Sequence, residues 1–194
     1  MFAFANFFYE VGMLGKTPRS GFAFLGSGQQ SVAEHVFRML NIAYVLARLC
    51  DEPVDQLHLL QLVLFHDLPE ARTGDLNYVN QKYLETNWEK LLGDLARELP
   101  FGEDIVARVR EFETGATTEA RIANDADQLE FLLTLKEQMD LGNPRAADWL
   151  APALQRLHTD AGKQLAEAIM STRSDAWWFG NRDDRYWVDR GRTK

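Results

Sequence analysis

Apolar and polar positions alternate along this chain with the period of helices nearly throughout, and no stretch shows the strict two-residue alternation of a half-buried strand. Residues 2–14 form a short apolar segment that reads as a helix. Residues 15–30, GKTPRSGFAFLGSGQQ, carry four glycines and a proline and read as a loop. Ser31-Val-Ala-Glu34 is a capping box, with the serine hydroxyl at the N-cap and the glutamate at N3, and it opens a helix to about Leu49. Asp55 can cap a second, very apolar helix ending near His66, the most buried segment by pattern. Pro69 lacks an N–H and disfavours helical geometry at Leu68, so a break or kink is expected just after His66-Asp67. Residues 82–98 and 103–113 are amphipathic. Thr117 or Thr118 opens another helix reaching about Leu141, which Gly142-Asn143-Pro144 stops. A last long helix is expected over about 152–171, followed by an aromatic, charged tail, DAWWFGNRDDRYWVDRGRTK. There is no repeat and no low-complexity linker. The expectation is a single all-α domain over 1–194.

Composition narrows the classes. A chain of 194 residues with 46% apolar and 26% charged positions has what an ordinary globular domain needs. The net charge of −8 argues against nucleic acid as a partner, because backbone phosphates call for clustered Lys and Arg. It leaves room for a small phosphorylated substrate, which needs only a local positive site. Cys50 is the single cysteine, so neither a disulfide framework nor a Cys-based zinc site is available, which fits a reducing, cytoplasmic setting. The start, MFAFANFFYEVG, lacks a basic region and a small-residue cleavage site and does not read as a signal peptide. No run is apolar over the roughly 18 residues a membrane span needs.

The chemistry concentrates in FHDLPEARTGD, residues 65–75, where an apolar run ends in His66-Asp67 and two more carboxylates follow, Glu70 and Asp75. Charges beside a core are costly unless paired or bound to metal. His35 lies in the first turn of the capping-box helix, and Asp125 and Asp127 lie inside the 117–141 helix, where aspartate is locally unfavourable. Two histidines and two aspartates from three helices could surround one divalent ion, with imidazole and carboxylate together suiting zinc, manganese, cobalt, nickel or iron. At about 100° per residue an unbroken helix would set Asp67 about 100° and Glu70 about 40° from His66, and Gly74 could swing Asp75 back to the same side. Each feature also has a plain reading. A lone histidine on an apolar helix is usually a satisfied core residue, the reading adopted for His58 and His158. A mid-helix aspartate is more often salt-bridged than a ligand, Arg19 is by default a surface arginine, and the tail aromatics are most simply packing or dimer contacts.

The order His…His-Asp…Asp on a helical chain resembles the HD-domain metal-dependent phosphohydrolases. MLGKTPRSGF, SVAEHVFRM, FHDLPEARTGDL and NDADQLEFLL, spanning residues 13 to 133, resemble in order and spacing the 5′-deoxynucleotidase branch of that superfamily. The resemblance implies a single HD-domain helical bundle, with a motif-bearing core over about 13–141 and a C-terminal helix and tail over about 152–194. By position, it places the metal ligands on His35, His66, Asp67 and Asp127, the last preferred to Asp125 because the family aspartate stands as in A-D-x-L. It places the catalytic acids on Glu70 and Asp75, and the phosphate-contacting arginine on Arg19. A bulky aromatic following that arginine disfavours a ribose 2′-hydroxyl in some relatives. Phe22 is the nearest candidate here, displaced by Ser20-Gly21.

The implied activity is a phosphomonoesterase dependent on one divalent ion (Co, Mn, Zn, Fe, Ni or Mg), hydrolysing (deoxy)nucleoside 5′-monophosphates to nucleoside and phosphate. The implied partners are a small-molecule nucleotide and a second copy in a homodimer, with no nucleic acid and no membrane. The alternatives are an HD hydrolase acting on a cyclic nucleotide, a nucleoside triphosphate or an alarmone, or a metal-stabilised binding module without turnover. The alarmone hydrolases of the superfamily carry Glu-Asp soon after His-Asp, where this chain has HDLPEARTGD. A binding module would not need Glu70, Asp75 and Arg19.

Overall fold

The computed structural model describes residues 1–191, and their regular elements are helices. Seven have ten residues or more: α1 Phe2–Val11, α2 Val32–Leu49, α3 Gln56–Phe65, α4 Trp88–Glu98, α5 Gly102–Thr114, α6 Thr118–Asp140 and α7 Asp160–Ser171. Among the described residues no strand forms, and an isolated antiparallel bridge joins Pro18 to Ser31. The fold is all-α, as the periodicity predicts. No helix among these residues is long and apolar enough to cross a membrane.

The helix starts follow the chemistry of their caps. Ser31 accepts from the Glu34 backbone while the Glu34 carboxylate accepts from the Ser31 N–H, so both halves of the capping box are made at the head of α2. Asp55 caps α3 through the His58 N–H, and Thr117 caps α6 through that of Ala120. After Phe65 the ladder tightens to i→i−3 bonds, Leu68 N–H to Phe65 and Glu70 N–H to Asp67, which is the break that Pro69 requires.

α6 is the axis of the molecule. It packs against α2, α3, α5 and α7, and Ala123, Ala126, Leu129, Leu132 and Leu135 along it are fully buried. One core cluster gathers Met39 and Leu46 of α2, Leu59 and Leu62 of α3, and Leu129 and Leu132 of α6. A second gathers Val32, Val36 and Leu68 with Leu91, Leu95 and Val106 of α4 and α5. His35 adjoins Val36 of the second cluster and lies one turn before Met39 of the first, and His66 falls between Val63 of the first and Leu68 of the second, so both histidines sit on the seam where the two clusters meet.

The structure corrects four expectations. α3 is not the most buried helix: Leu57 is 68% and Leu64 47% exposed, and α6 takes the central place. The 82–98 segment becomes helical only at Trp88, where the Asn87 side chain caps Lys90, with a short 3₁₀ turn at Asn80–Lys82 before it. The 152–171 helix is two pieces, Leu150–Gln155 and α7, because Thr159 caps α7 and turns the chain. Residues 15–30 hold a helical turn, Phe22–Leu25, besides the bridge at Pro18. Of the aromatic tail, residues 192–194 lie outside the described residues; within it Phe179 and Trp187 pack edge to face.

Candidate metal centre

Three helical regions meet at the seam. His35 comes from the first turn of α2, His66 and Asp67 from the end of α3, and Asp127 from the middle of α6. Donor atoms of His35, His66 and Asp127 all lie within 4.8 Å of one another. His35 Nε2 is 3.2 Å from Asp127 Oδ1 and 3.6 Å from Asp67 Oδ2, and His66 Nε2 is 3.2 Å from Asp67 Oδ1. The two imidazoles are oriented from behind. His66 Nδ1 lies 2.8 Å from the Val63 carbonyl, which can only accept, and His35 Nδ1 lies 2.6 Å from the Glu130 carboxylate. With Nδ1–H donating outward, Nε2 is the ring nitrogen that each histidine turns inward.

Arg19, Glu70 and Asp75 complete the surround. The bridge between Pro18 and Ser31, with Arg19 N–H donating to the Gln30 carbonyl at 2.8 Å, ties the first loop to the head of α2. Arg19 then stands 3.6 Å from Asp67 and 3.9 Å from Asp75. Gly74 has φ 72 and ψ 166, a region open essentially to glycine alone, and this turn delivers Asp75 to the same loop, where its Oδ2 accepts the Ser20 N–H at 2.7 Å. Glu70 follows Pro69 at the start of the next helical turn, with Oε2 buried and unpartnered.

Charge is unbalanced here. Asp67 and Asp75 flank the Arg19 guanidinium, and Glu70 and Asp127 add two more carboxylates to the neighbourhood. Burial and the nearby Asp67 and Asp75 carboxylates push the Glu70 carboxyl up to about 9. Burial opposes the charge on His35, but the Asp127 and Glu130 carboxylates beside it outweigh that and raise its pKa to about 9. Burial raises Asp127 and Asp67 too, yet His35 and Arg19, with His66 for Asp67, hold both below the usual carboxylate range. Burial lowers Arg19, but Asp127, Asp67, Asp75 and Glu130 outweigh it and raise its pKa. The group accommodates added positive charge, whether as protons on Glu70 and His35 or as a cation. The donor set fits a metal: His35 Nε2, His66 Nε2 and Asp67 Oδ2 are buried without a hydrogen-bond partner, and Asp127 stands with the two histidines.

The remaining candidates go elsewhere. Asp125, two residues from Asp127, is fully buried and spent on structure: it accepts the backbone N–H groups of His158 and Thr159, at 2.6 and 2.8 Å, and the Thr159 hydroxyl, holding the start of α7. Phe22 packs with Leu25, Leu135 and Ala146 and lines a separate cavity with Arg38 and Gln138; no contact places it beside the histidines. His58 is half-buried and hydrogen-bonded to Glu111 at 2.7 Å, as the plain reading has it. His158 is exposed, which corrects its reading as a core residue; its backbone, not its ring, is what the fold uses.

Sequence reasoning missed the brace behind His35. Glu130 is 1% exposed and lies one helical turn along α6 from Asp127. Its Oε1 accepts from Gln30 Nε2 at 2.7 Å and Arg38 Nε at 2.8 Å, while Arg38 also reaches Thr134 and Glu137. Burial raises Glu130, but His35 and Arg38 outweigh it and bring its pKa down to about 2. The available signal was a charged residue inside the apolar run Leu129-Glu130-Phe131-Leu132.

With this geometry in view, a profile of the HD domain matches residues 11–170. The chain belongs to the HD-domain family. This HD domain is 28% identical over 151 residues to the 5′-deoxynucleotidase HDDC2 of Danio rerio, covering 72% of each chain. It is similar in structure to a conserved hypothetical protein from Pyrococcus furiosus, with TM-score 0.75 and 23% identity over 87% of this chain and 99% of that one. It is also similar to a predicted metal-dependent phosphohydrolase from Magnetospirillum magnetotacticum, with TM-score 0.69 and 24% identity over 86% of this chain and 89% of that one. At such identities the solved structures speak to the fold.

Proposed function

We propose that this HD domain is a metal-dependent phosphomonoesterase that hydrolyses (deoxy)nucleoside 5′-monophosphates. The observation that carries the reading is the cluster of His35, His66 and Asp127 donor atoms within 4.8 Å of one another, with Asp67 3.6 Å from His35 and Arg19 beside it. The relative named as a 5′-deoxynucleotidase supports the substrate class.

In this reading His35, His66, Asp67 and Asp127 hold one divalent ion. Such an ion, when bound, supplies Lewis acidity toward a phosphate oxygen and makes water acidic enough to attack at neutral pH. The chain's own residues do the rest. Arg19 offers a planar fork of donors to the phosphate and balances charge that develops on its oxygens. Glu70 takes the proton of the attacking water; its open Oε2 and raised pKa give it proton affinity, and added positive charge nearby brings that affinity back toward neutrality. The water oxygen bonds to phosphorus as the ester P–O bond breaks, and the 5′-oxygen leaves as the nucleoside alcohol with a proton from solvent, to which Glu70 returns its own, giving orthophosphate. Asp75, anchored to the Arg19 loop through Ser20, would assist the leaving oxygen or read the sugar 3′-hydroxyl. No covalent nucleophile is required, because phosphoryl transfer rests on positioning and electrostatics.

Phosphate release from deoxy- and ribonucleoside 5′-monophosphates, 3′-monophosphates, cyclic nucleotides and a guanosine alarmone tests this, with EDTA and with added Co²⁺, Mn²⁺, Mg²⁺ or Zn²⁺. The expected result is release from 5′-monophosphates alone, abolished by EDTA. Metal-loaded protein that releases nothing from 5′-monophosphates would overturn the reading.

A further inference from the structure

The hydrogen bonds behind His35 form a chain with a fixed sense of direction. Arg38 has donors only and cannot accept. Its Nε and Nη2 both meet Glu130 Oε1, at 2.8 and 2.6 Å. Glu130 Oε2 is thereby left for His35 Nδ1, at 2.6 Å, and an ionised carboxylate can only accept, so Nδ1 must donate. The ring is then committed to Nε2 as its free ligand atom, and Nε2 is the buried, unpartnered nitrogen that faces Asp67 and Asp127. Two helices write this relay with one spacing. His35 and Arg38 are three apart on α2, as Asp127 and Glu130 are on α6, so each helix sends one residue to the centre and one to the brace.

We propose that Glu130 is a positioning residue that sets the tautomer and aim of His35, and that Arg38 is the lock that keeps the carboxylate facing it. The proposal rests on the metal-centre reading above and deepens it. Its distinguishing consequence is a reversible one. In Glu130→Gln the side chain has one acceptor and one donor end. Arg38 forces the amide oxygen toward itself, which turns the NH₂ toward His35 Nδ1 and places the imidazole proton on Nε2, where the ion should bind. Gln30 and Thr134, the other neighbours of Oε1, can each turn to accept instead of donate, so Arg38 alone enforces the wrong orientation. Removing the arginine as well lets the amide flip and offer its oxygen to Nδ1.

The test uses Co²⁺ binding to the metal-free full chain, followed by the visible absorption of the bound ion. Circular dichroism confirms that each variant folds. Glu130→Gln is expected to weaken Co²⁺ binding about 10- to 100-fold, the range for loss of a partner behind a ligating histidine. Glu130→Gln/Arg38→Met is expected to bind more tightly than Glu130→Gln, and Arg38→Met alone to weaken binding less than Glu130→Gln does. A purely structural role predicts the opposite order, with the double variant worst. Wild-type affinity in Glu130→Gln, or a double variant no better than the single, would overturn the positioning role. Should Glu130→Gln not fold, a double variant that binds Co²⁺ more than about tenfold more weakly than Arg38→Met overturns it equally. Failure of the underlying reading looks different: a wild-type chain that takes up no Co²⁺, or an Asp127→Ala chain that takes it up as well as wild type.

Discussion

At the scale of single residues, the proposed reading separates groups that would hold an ion from groups that would use it. Asp127→Ala is expected to lose bound metal and phosphate release together, because it deletes the oxygen nearest His35 Nε2. Glu70→Ala is expected to keep the metal and lose turnover by about 10²- to 10⁴-fold, the usual size of a lost proton-transfer group. Metal content by elemental analysis beside single-turnover assays distinguishes the two, and full activity in loaded Glu70→Ala would remove Glu70 from the chemistry. The same residues set a pH response in the unloaded chain. Glu70 sits at about 9 against an ordinary 4.5, and His35 at about 9 against 6.5. Each folded value is raised, so each contributes stability that is complete below its unfolded value and lost as pH rises through about 9. Thermal midpoints in EDTA should therefore fall between pH 6.5 and 9, where the two windows overlap. Glu70→Gln should flatten that fall, and a midpoint that climbs across the range would contradict the assignment.

At the scale of elements, turns and caps decide which side chains meet. Gly74 turns the chain in a region closed to other residues, and Gly74→Ala is expected to cost about 1–3 kcal/mol in chemical denaturation. It should also lower phosphate release by carrying Asp75 away from the Arg19 loop. Asp125→Ala leaves the α7 donors without their buried acceptor, and should destabilise by about 1–3 kcal/mol while metal stoichiometry stays at the wild-type value. These two cases mark what was legible beforehand. Ser31-Glu34, Asp55 and Thr117 announce helix starts because a cap is a local bargain between neighbours in sequence. Gly74 and Pro69 announce the turn after His66 for the same reason. The two pieces of 152–171 were illegible because the residue that separates them, Asp125, lies 33 positions away from His158. Glu130 was illegible as a brace because its meaning depends on His35 and Arg38, which reach it only across the packed faces of α2 and α6. Leu57 and Leu64 misled because an apolar side chain exposed on a surface looks no different in sequence from one in a core.

At the scale of the whole molecule, α6 joins the two jobs of the fold. Its apolar face seats α2 and α3, and its aspartates and glutamate serve the centre and the anchor of α7. Leu129→Ala, at full burial between the clusters' helices, should cost about 2–5 kcal/mol and loosen Co²⁺ binding only through the folded fraction. Equilibrium unfolding with and without the ion measures both. The span of the chain between the parts of the centre has a kinetic consequence. His35 and Glu130 are 95 positions apart, and no short segment carries both the α2 and the α6 share of the donors. Closing so long a loop belongs to the late part of folding, after local helices have formed. In stopped-flow refolding, the far-ultraviolet signal of helix should therefore run ahead of the Co²⁺ absorption band, and the lag between them would time the docking of α2 on α6.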